Sequence, residues 1–400
     1  MSAGPISRDV RLPLATSTWD DHELMAIRRV IESGQFTMSD EVHAFEMEFA
    51  SYLGARYAVM VNSGSSANLL AVATAVLDDQ TDLNRDDEVL VPAVAWSTTY
   101  FPLIQYGLRP VLVDIDPNTL NLDVGAARAA VTDRTKAVMA VNLLGNPNEF
   151  DSLTGFCRER GLLLLEDNCE SLGATYDGRQ AGTFGRLGTF SFYFSHHIST
   201  VEGGAVVTDD ERYYHILLSL RSHGWTRGLP ADSAIAAHHQ GGFDDLFQFI
   251  LPGYNLRPLE FSGAIGRCQL GKLDSLLAGR RRNAAELLEL MRGVPGVRMQ
   301  TGVGRSSWFG FSMVLQDDLA GRRGDVIKML TAAGVETRPI IAGNFAHSPV
   351  MSRVNIRVNS ALPVADEIHQ DGFFVGNNHQ PMSKELAFLA DSMSALTGPH

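Results

Sequence analysis

The sequence predicts an α/β protein with a mostly parallel central sheet, followed by a smaller α+β lobe. Short apolar runs with strand character recur at 58–62, 88–92, 111–115, 137–141, 162–166, 189–194 and 204–208. Helical patterns lie between several of them, at 39–53, 66–77 and 122–131. Strands alternating with helices point to parallel strands covered on both faces, because each parallel crossover is made by a helix. Groups of small, charged or hydroxylated residues follow several strands, and ligands of such sheets gather beyond the carboxyl ends of the strands. The expected division is an N-terminal arm over 1–20, a large ligand-binding domain over 21–272 and a small C-terminal domain over 273–400. A helical run at 273–291 carries Arg280, Arg281 and Arg282 out of the large domain; three adjacent arginines read first as a solvated helix face.

Composition narrows the function. A chain of 400 residues with 45% hydrophobic and 20% charged residues is an ordinary globular sequence with a sizeable core. The net charge of −13 argues against a nucleic-acid or anionic-membrane partner, though a few local arginines can still bind an anionic small molecule. Cys157, Cys169 and Cys268 are widely spaced and give neither a disulfide framework nor a metal-cluster spacing. No apolar stretch reaches a membrane span, and residues 1–18 lack a signal-peptide pattern, so the cytoplasm is the expected location.

Four constellations at strand ends carry the chemistry. Asn62-Ser63-Gly64-Ser65-Ser66-Ala67-Asn68 follows a strand and opens a helix, where small residues and free N–H groups suit a phosphate; a plain serine-capped helix start is the competing reading. Asp167 and Glu170 follow a buried apolar strand. An unpaired carboxylate there would be costly, so Asp167 either meets a ligand cation or caps the next helix. Trp96 lies in a Ser/Thr-rich turn, where an indole either stacks on a flat ring or joins the core. Ser191 through Thr200 contains His196 and His197, followed by Glu202-Gly203-Gly204. Adjacent histidines invite a metal, but no partner lies at a ligating spacing, so no metal is expected and a neutral imidazole base is more economical.

Together these segments resemble the sugar aminotransferase family of aspartate-aminotransferase-like, fold type I pyridoxal-phosphate enzymes. The likeness extends from about residue 12 to 389. Family members share the Ser-Gly-Ser loop, the acidic strand end and a Ser-Phe-x-x-x-Lys segment before Glu-Gly-Gly. Here His196 replaces that lysine. Gly253-Tyr254-Asn255-Leu256-Arg257 resembles the segment whose asparagine reaches the partner subunit's cofactor phosphate, which implies a homodimer with composite active sites. By the same resemblance Gly64, Ser65, Ser191 and Asn255 hold the phosphate, Trp96 stacks on the ring, Glu170 lies near it and Asp167 pairs with the ring nitrogen. His223, Arg257 and Arg338 are weaker candidates for substrate contacts.

The histidine changes the expected reaction. Only Lys136, Lys272, Lys328 and Lys384 occur, none of them between Asp167 and Gly253, so the chain has no amine to bond the cofactor there. The exchange resembles the sugar 3-dehydratase branch of the family. That branch implies L-glutamate as amino donor, leaving as 2-oxoglutarate and converting pyridoxal phosphate to pyridoxamine phosphate. The cofactor's amine then condenses with C4 of a nucleotide-linked 4-keto-6-deoxy sugar, GDP-linked by resemblance. His196 moves a proton, the C3 hydroxyl departs, and hydrolysis gives a 3-deoxy-4-keto sugar and ammonia. A related iron–sulfur branch needs four thiolates, more than three cysteines supply. Two alternatives stay open: a nucleotide-sugar aminotransferase that recruits another lysine, and a cofactor-binding relative without catalysis.

Overall fold

The computed structural model describes residues 10–230, 232–236, 243 and 247–396. The first nine residues of the expected arm and the last four of the expected small domain therefore lie outside the described residues. The chain opens with two helices, α1 (Asp21–Ser33) and α2 (Asp40–Leu53). Asp20 caps α1 by accepting from His22 N while Glu23 reaches back to the Asp20 amide, and Gly34 ends the helix at φ +69°. Strand β1 (Tyr57–Val61) then leads into α3 (Gly64–Leu77).

Strand–helix alternation follows: β2 (Glu88–Pro92), α4 (Ser97–Gln105), β3 (Arg109–Val113), α5 (Val124–Ala130), β4 (Thr135–Val141), α6 (Phe150–Arg160) and β5 (Leu163–Asp167). A short hairpin, β6 (Thr175–Tyr176) and β7 (Arg179–Gln180), precedes β8 (Leu187–Ser191) and β9 (Gly204–Thr208). Helix α7 (Glu211–Arg221) and the 32-residue α8 (Glu260–Met291) come next. The C-terminal part contains β10 (Val297–Met299), β11 (Gly310–Leu315), α9 (Arg323–Ala332), β12 (Thr337–Arg338), β13 (Arg357–Val358), α10 (Pro363–Asp371), β14 (Gly372–Gly376) and α11 (Ser383–Ser394).

The eight-stranded sheet runs β1-β9-β8-β5-β4-β2-β3-β13, with β9 antiparallel to both neighbours and the other pairs parallel. Alternate residues feed opposite faces: Val89, Val91, Leu112 and Met139 join one core with α3 and α7, while Leu90, Val111, Val113 and Val138 join another with α6. Because both faces are buried, these strands read as continuous apolar runs. A second, antiparallel sheet, β10-β11-β14-β12, closes over its own core, to which Leu12 and residues of α8, α9 and α11 contribute.

Two boundaries differ from the sequence reading in ways that bear on the site. The run at 189–194 leaves the sheet after Ser191, and the His196 amide closes a turn onto the Tyr193 carbonyl at 2.9 Å. That frees residues 192–200 to form the site wall. Helix α8 begins at Glu260 and passes without a break through 272–273, carrying Arg280 from the large sheet towards the small one. Edge strand β13 comes from the C-terminal part yet pairs with β3 of the large sheet, a crossing that two residues of sequence cannot announce.

Candidate active site

Parallel strands β5 and β8 deliver Asp167 and Ser191 to the same end of the large sheet, and the turn after β1 delivers Ser63, Gly64 and Ser65 beside them. Ser63 caps α3 through its hydroxyl, which accepts from Ser66 N at 3.1 Å, so the serine-cap reading of this turn holds locally. The capping leaves Gly64 against its neighbours. A Cβ there would come within 2.5 Å of Ser191 Cβ and 3.1 Å of Cys169 Sγ, so only glycine lets the turn pack against β8. The exposed Ser65 hydroxyl donates to Thr98 at 3.0 Å, which links the turn to the start of α4 and to Trp96. The Asn62 amide donates to the Leu256 carbonyl at 3.0 Å, bringing the Asn255 segment to the same strand end.

Asp167 is the last residue of β5 and is 5% exposed. Its Oδ2 accepts from Asn68 Nδ2 and Thr99 Oγ1, both at 2.8 Å, and its Oδ1 accepts from the Cys169 amide at 3.2 Å. Thr189 in turn donates to Asn68 Oδ1 at 2.6 Å and fixes that amide's orientation. Four elements therefore hold one carboxylate, and no cation pairs with it among the described residues. Its neighbour Glu166 faces the other way and accepts from the Gly182 and Gly185 amides at 2.7 and 2.6 Å, a structural task. Glu170 accepts from the Leu144 amide at 3.1 Å, and burial pushes its carboxyl up to about 8. Leu144 itself adopts φ +51° to present that amide.

The wall after β8 holds both histidines. The His196 ring packs edge-on against Phe309, with centroids 5.1 Å apart, and its buried Nδ1 has no hydrogen-bond partner among the described residues. Burial, reinforced by the nearby Arg280 guanidinium, lowers its pKa to about 3, so the ring is a free base at neutral pH. His197 is 1% exposed and donates from Nε2 to the Ser307 carbonyl at 3.2 Å, an anchoring contact. Trp96 precedes α4, is 57% exposed and lines a cavity of about 370 Å³ with Asn344, Phe345, His347 and His369.

Other candidates are more dispersed. Asn255 is exposed and its Oδ1 accepts from Arg257 Nε at 3.0 Å. His223 lies in the same neighbourhood, its amide donating to the Tyr254 carbonyl at 2.6 Å. Arg338 is exposed on β12 of the small sheet, and no hydrogen bond among the described residues joins it to these groups. The arginine trio of α8 corrects the sequence reading. Arg282 faces solvent, but Arg280 is 4% exposed and Arg281 donates to the Ser306 and Gly173 carbonyls. Asn68 and Thr99 were not singled out from sequence, although both lie in segments that were: the Ser-Gly-Ser turn and the Ser/Thr-rich turn after Trp96.

The model of the DegT/DnrJ/EryC1/StrS aminotransferase family matches residues 17–387. The chain belongs to that family. Among its relatives, GDP-4-keto-6-deoxy-D-mannose 3-dehydratase from Yersinia pseudotuberculosis is 49% identical over 95% of this chain and 97% of its own length. A solved structure of GDP-4-keto-6-deoxymannose-3-dehydratase with a trapped PLP-glutamate geminal diamine superposes with a TM-score of 0.93 at 47% identity, covering 96% of this chain and 100% of that one. A histidine-to-asparagine mutant of the same enzyme with bound GDP-perosamine gives the same score, identity and coverage. The fold is accordingly the aspartate-aminotransferase-like one of fold type I pyridoxal-phosphate enzymes, as the resemblance implied. No helix among the described residues is long and apolar enough to cross a membrane.

Proposed function

We propose that the chain is a pyridoxal-phosphate-dependent 3-dehydratase of a GDP-linked 4-keto-6-deoxy sugar, with L-glutamate as amino donor and with ammonia and 2-oxoglutarate released. The observation that carries this reading is a free-base histidine at 196 on the wall after β8, together with a firmly held and cation-free Asp167 at the end of β5, in a chain whose family relatives of that name match end to end. In pathway terms it supplies a 3,6-dideoxysugar such as colitose for an O-antigen, and it works in the cytoplasm.

A flat, phosphorylated pyridine fits the residues. The turn closed by Gly64 offers the first amides of α3 and the hydroxyls of Ser65 and Ser191 to a phosphate, and the helix N-terminus adds a favourable dipole end. Asn255 adds a further donor from a second protomer, and Trp96 offers an exposed indole to one ring face. When bound, the cofactor supplies an electron sink that lets a carbon–oxygen bond break next to a carbon carrying its amine. Asp167 holds a proton on the ring nitrogen, because a buried carboxylate without a cation favours a positive partner. Glu170, neutral up to about pH 8, stands near the ring without adding charge. His196 moves a proton between the cofactor's exocyclic carbon and the site and forms no bond to it, since imidazole here replaces the amine that would. His223, Arg257 and Arg338 serve the substrate, the guanidinium fork suiting a diphosphate or the glutamate carboxylate.

We take the working unit to be a homodimer. Phe243, Phe247 and Phe249 are 85%, 66% and 56% exposed, and Phe194, on the catalytic wall, is 53% exposed; a second copy would cover such rings. The reading is tested by incubating the protein with pyridoxal phosphate, glutamate and a panel of 4-keto-6-deoxy nucleotide sugars. Deoxygenated product from the GDP sugar supports it, whereas an aminated sugar identifies an aminotransferase.

A further inference from the structure

Arg280 is a buried charged side chain that the proposed chemistry does not use, and its setting is unusual. It lies near the middle of α8, is 4% exposed, and forms no ion pair with a carboxylate among the described residues. A buried guanidinium without a counter-ion is costly unless carbonyl oxygens or function compensate it. Here Nη1 donates to three carbonyls: Asn377 at 2.8 Å, Phe309 at 3.1 Å and Trp308 at 3.4 Å. Two of these belong to the segment that backs His196. Trp308 is held at φ +51°, and its amide lies so close to Gly145 that a Cβ there would come within 2.5 Å of it. The segment is thus pinned from two sides, and its Phe309 ring is the surface against which the imidazole rests. His196 has no hydrogen bond from Nδ1 to orient it, so its position depends on that ring.

We propose that Arg280 is a positioning residue for His196: by holding the Phe309 carbonyl it fixes the ring surface that orients the imidazole. After burial, its unpaired charge also opposes protonation of that imidazole. This rests on the reading of His196 as the proton-moving group. The groups facing the imidazole are consistent with it. Its own loop contributes His197, which burial keeps neutral, and the Tyr193 ring at 5.9 Å; α8 contributes Arg280; the 308–309 segment contributes backbone and an aromatic ring. Arg281 faces Ser306 and Gly173, and its charge acts on His197. Asp167 and Glu170 stand at the end of β5. The direction of the His196 shift agrees, with burial as the larger cause and Arg280 as the charge acting on it. A lysine would supply the charge, but its ammonium ends one bond short of the place from which Nη1 reaches the carbonyls of Phe309 and Asn377, so charge and positioning are separable by substitution.

The test is the titration of His196 in the cofactor-loaded protein, followed by NMR with ring-labelled histidine and assigned with His196→Asn. The wild-type midpoint should lie below pH 5; a midpoint at or above 6.5 overturns the proposal without any variant. In Arg280→Gln, whose amide can still donate to a carbonyl, the midpoint should rise by about one unit. In Arg280→Lys it should stay near wild type while kcat falls at least tenfold, because the Phe309 surface is no longer fixed. An unchanged midpoint in Arg280→Gln, or an equal rise in Arg280→Lys, overturns the electrostatic role. Full kcat in Arg280→Lys overturns the positioning role. If His196→Asn remains a full dehydratase, the underlying reading of His196 has failed instead, whatever Arg280 does.

Discussion

Replacing Asp167 by asparagine separates the chemistry of the site from its architecture. The carboxylate accepts two hydrogen bonds at Oδ2, from Asn68 and Thr99, and one at Oδ1, from the Cys169 amide. An amide keeps its oxygen where two donors converge, so its NH₂ is turned to the Oδ1 side and faces the Cys169 N–H. One hydrogen bond of net ~1 kcal/mol is lost, partly offset by removing a buried charge, and the fold should survive. The chemical cost is larger. A carboxylate about 4 Å from a pyridinium is worth about 4 kcal/mol at an effective dielectric of 20, which corresponds to about three units in the proton affinity of the ring nitrogen. Asp167→Asn should therefore lower kcat by about 10³-fold while the phosphate contacts keep cofactor affinity within about tenfold. Mass-detected deoxygenation gives the first quantity and an absorbance titration with pyridoxal phosphate the second. Turnover within tenfold of wild type would remove Asp167 from its role, and loss of cofactor binding in parallel with turnover would make the role structural.

Three further outcomes follow from the same residues. His196→Lys should lose dehydratase activity but gain a covalent bond to the cofactor aldehyde, read as a new absorption band that borohydride fixes to the chain. Iron chelation should leave activity unchanged, because Cys157 is buried on α6 while Cys169 and Cys268 lie on separate elements; a reproducible iron requirement contradicts this. Glu170→Gln should stabilise the apoprotein at pH 9 and leave it unchanged at pH 4. With its folded pKa raised from 4.5 to about 8, the carboxyl is neutral in both states below 4.5, and the cost of its ionised form grows as pH rises to 8. The shift bounds that cost at roughly 5 kcal/mol, and melting curves at the two pH values would show whether the gap opens in this direction.

Much of the large sheet was legible because its strands are buried on both faces. Apolar runs such as 88–92 and 137–141 stand out between polar turns and coincide with observed strands to within a few residues. The strand around 189–194 was drawn three residues too far, since Phe192, Tyr193 and Phe194 keep strand-like chemistry after the backbone has turned away. Position 196 drew attention in the sequence because, by the family resemblance, an imidazole stands where an amine is expected. The support around Asp167 was less visible, as an asparagine and a threonine carry no signal until folding brings α3 and α4 to β5. Arg280 was misread for a similar reason. Three consecutive arginines look solvated in sequence, but a helix turns by about 100° per residue, so adjacent side chains meet different surroundings.

In the proposed reaction one imidazole moves the proton of deoxygenation without bonding the cofactor. The most direct measurement is the mass of the sugar released when GDP-4-keto-6-deoxymannose and glutamate are supplied to the wild type, to His196→Asn and to His197→Asn, each first shown to bind cofactor. The wild type should release a product one oxygen lighter, His196→Asn at least 10²-fold less of it, and His197→Asn, whose ring anchors to the Ser307 carbonyl, should keep substantial activity. An active His196→Asn with a dead His197→Asn would transfer the role to the second histidine, and undiminished deoxygenation by both would rule out histidine as the proton carrier.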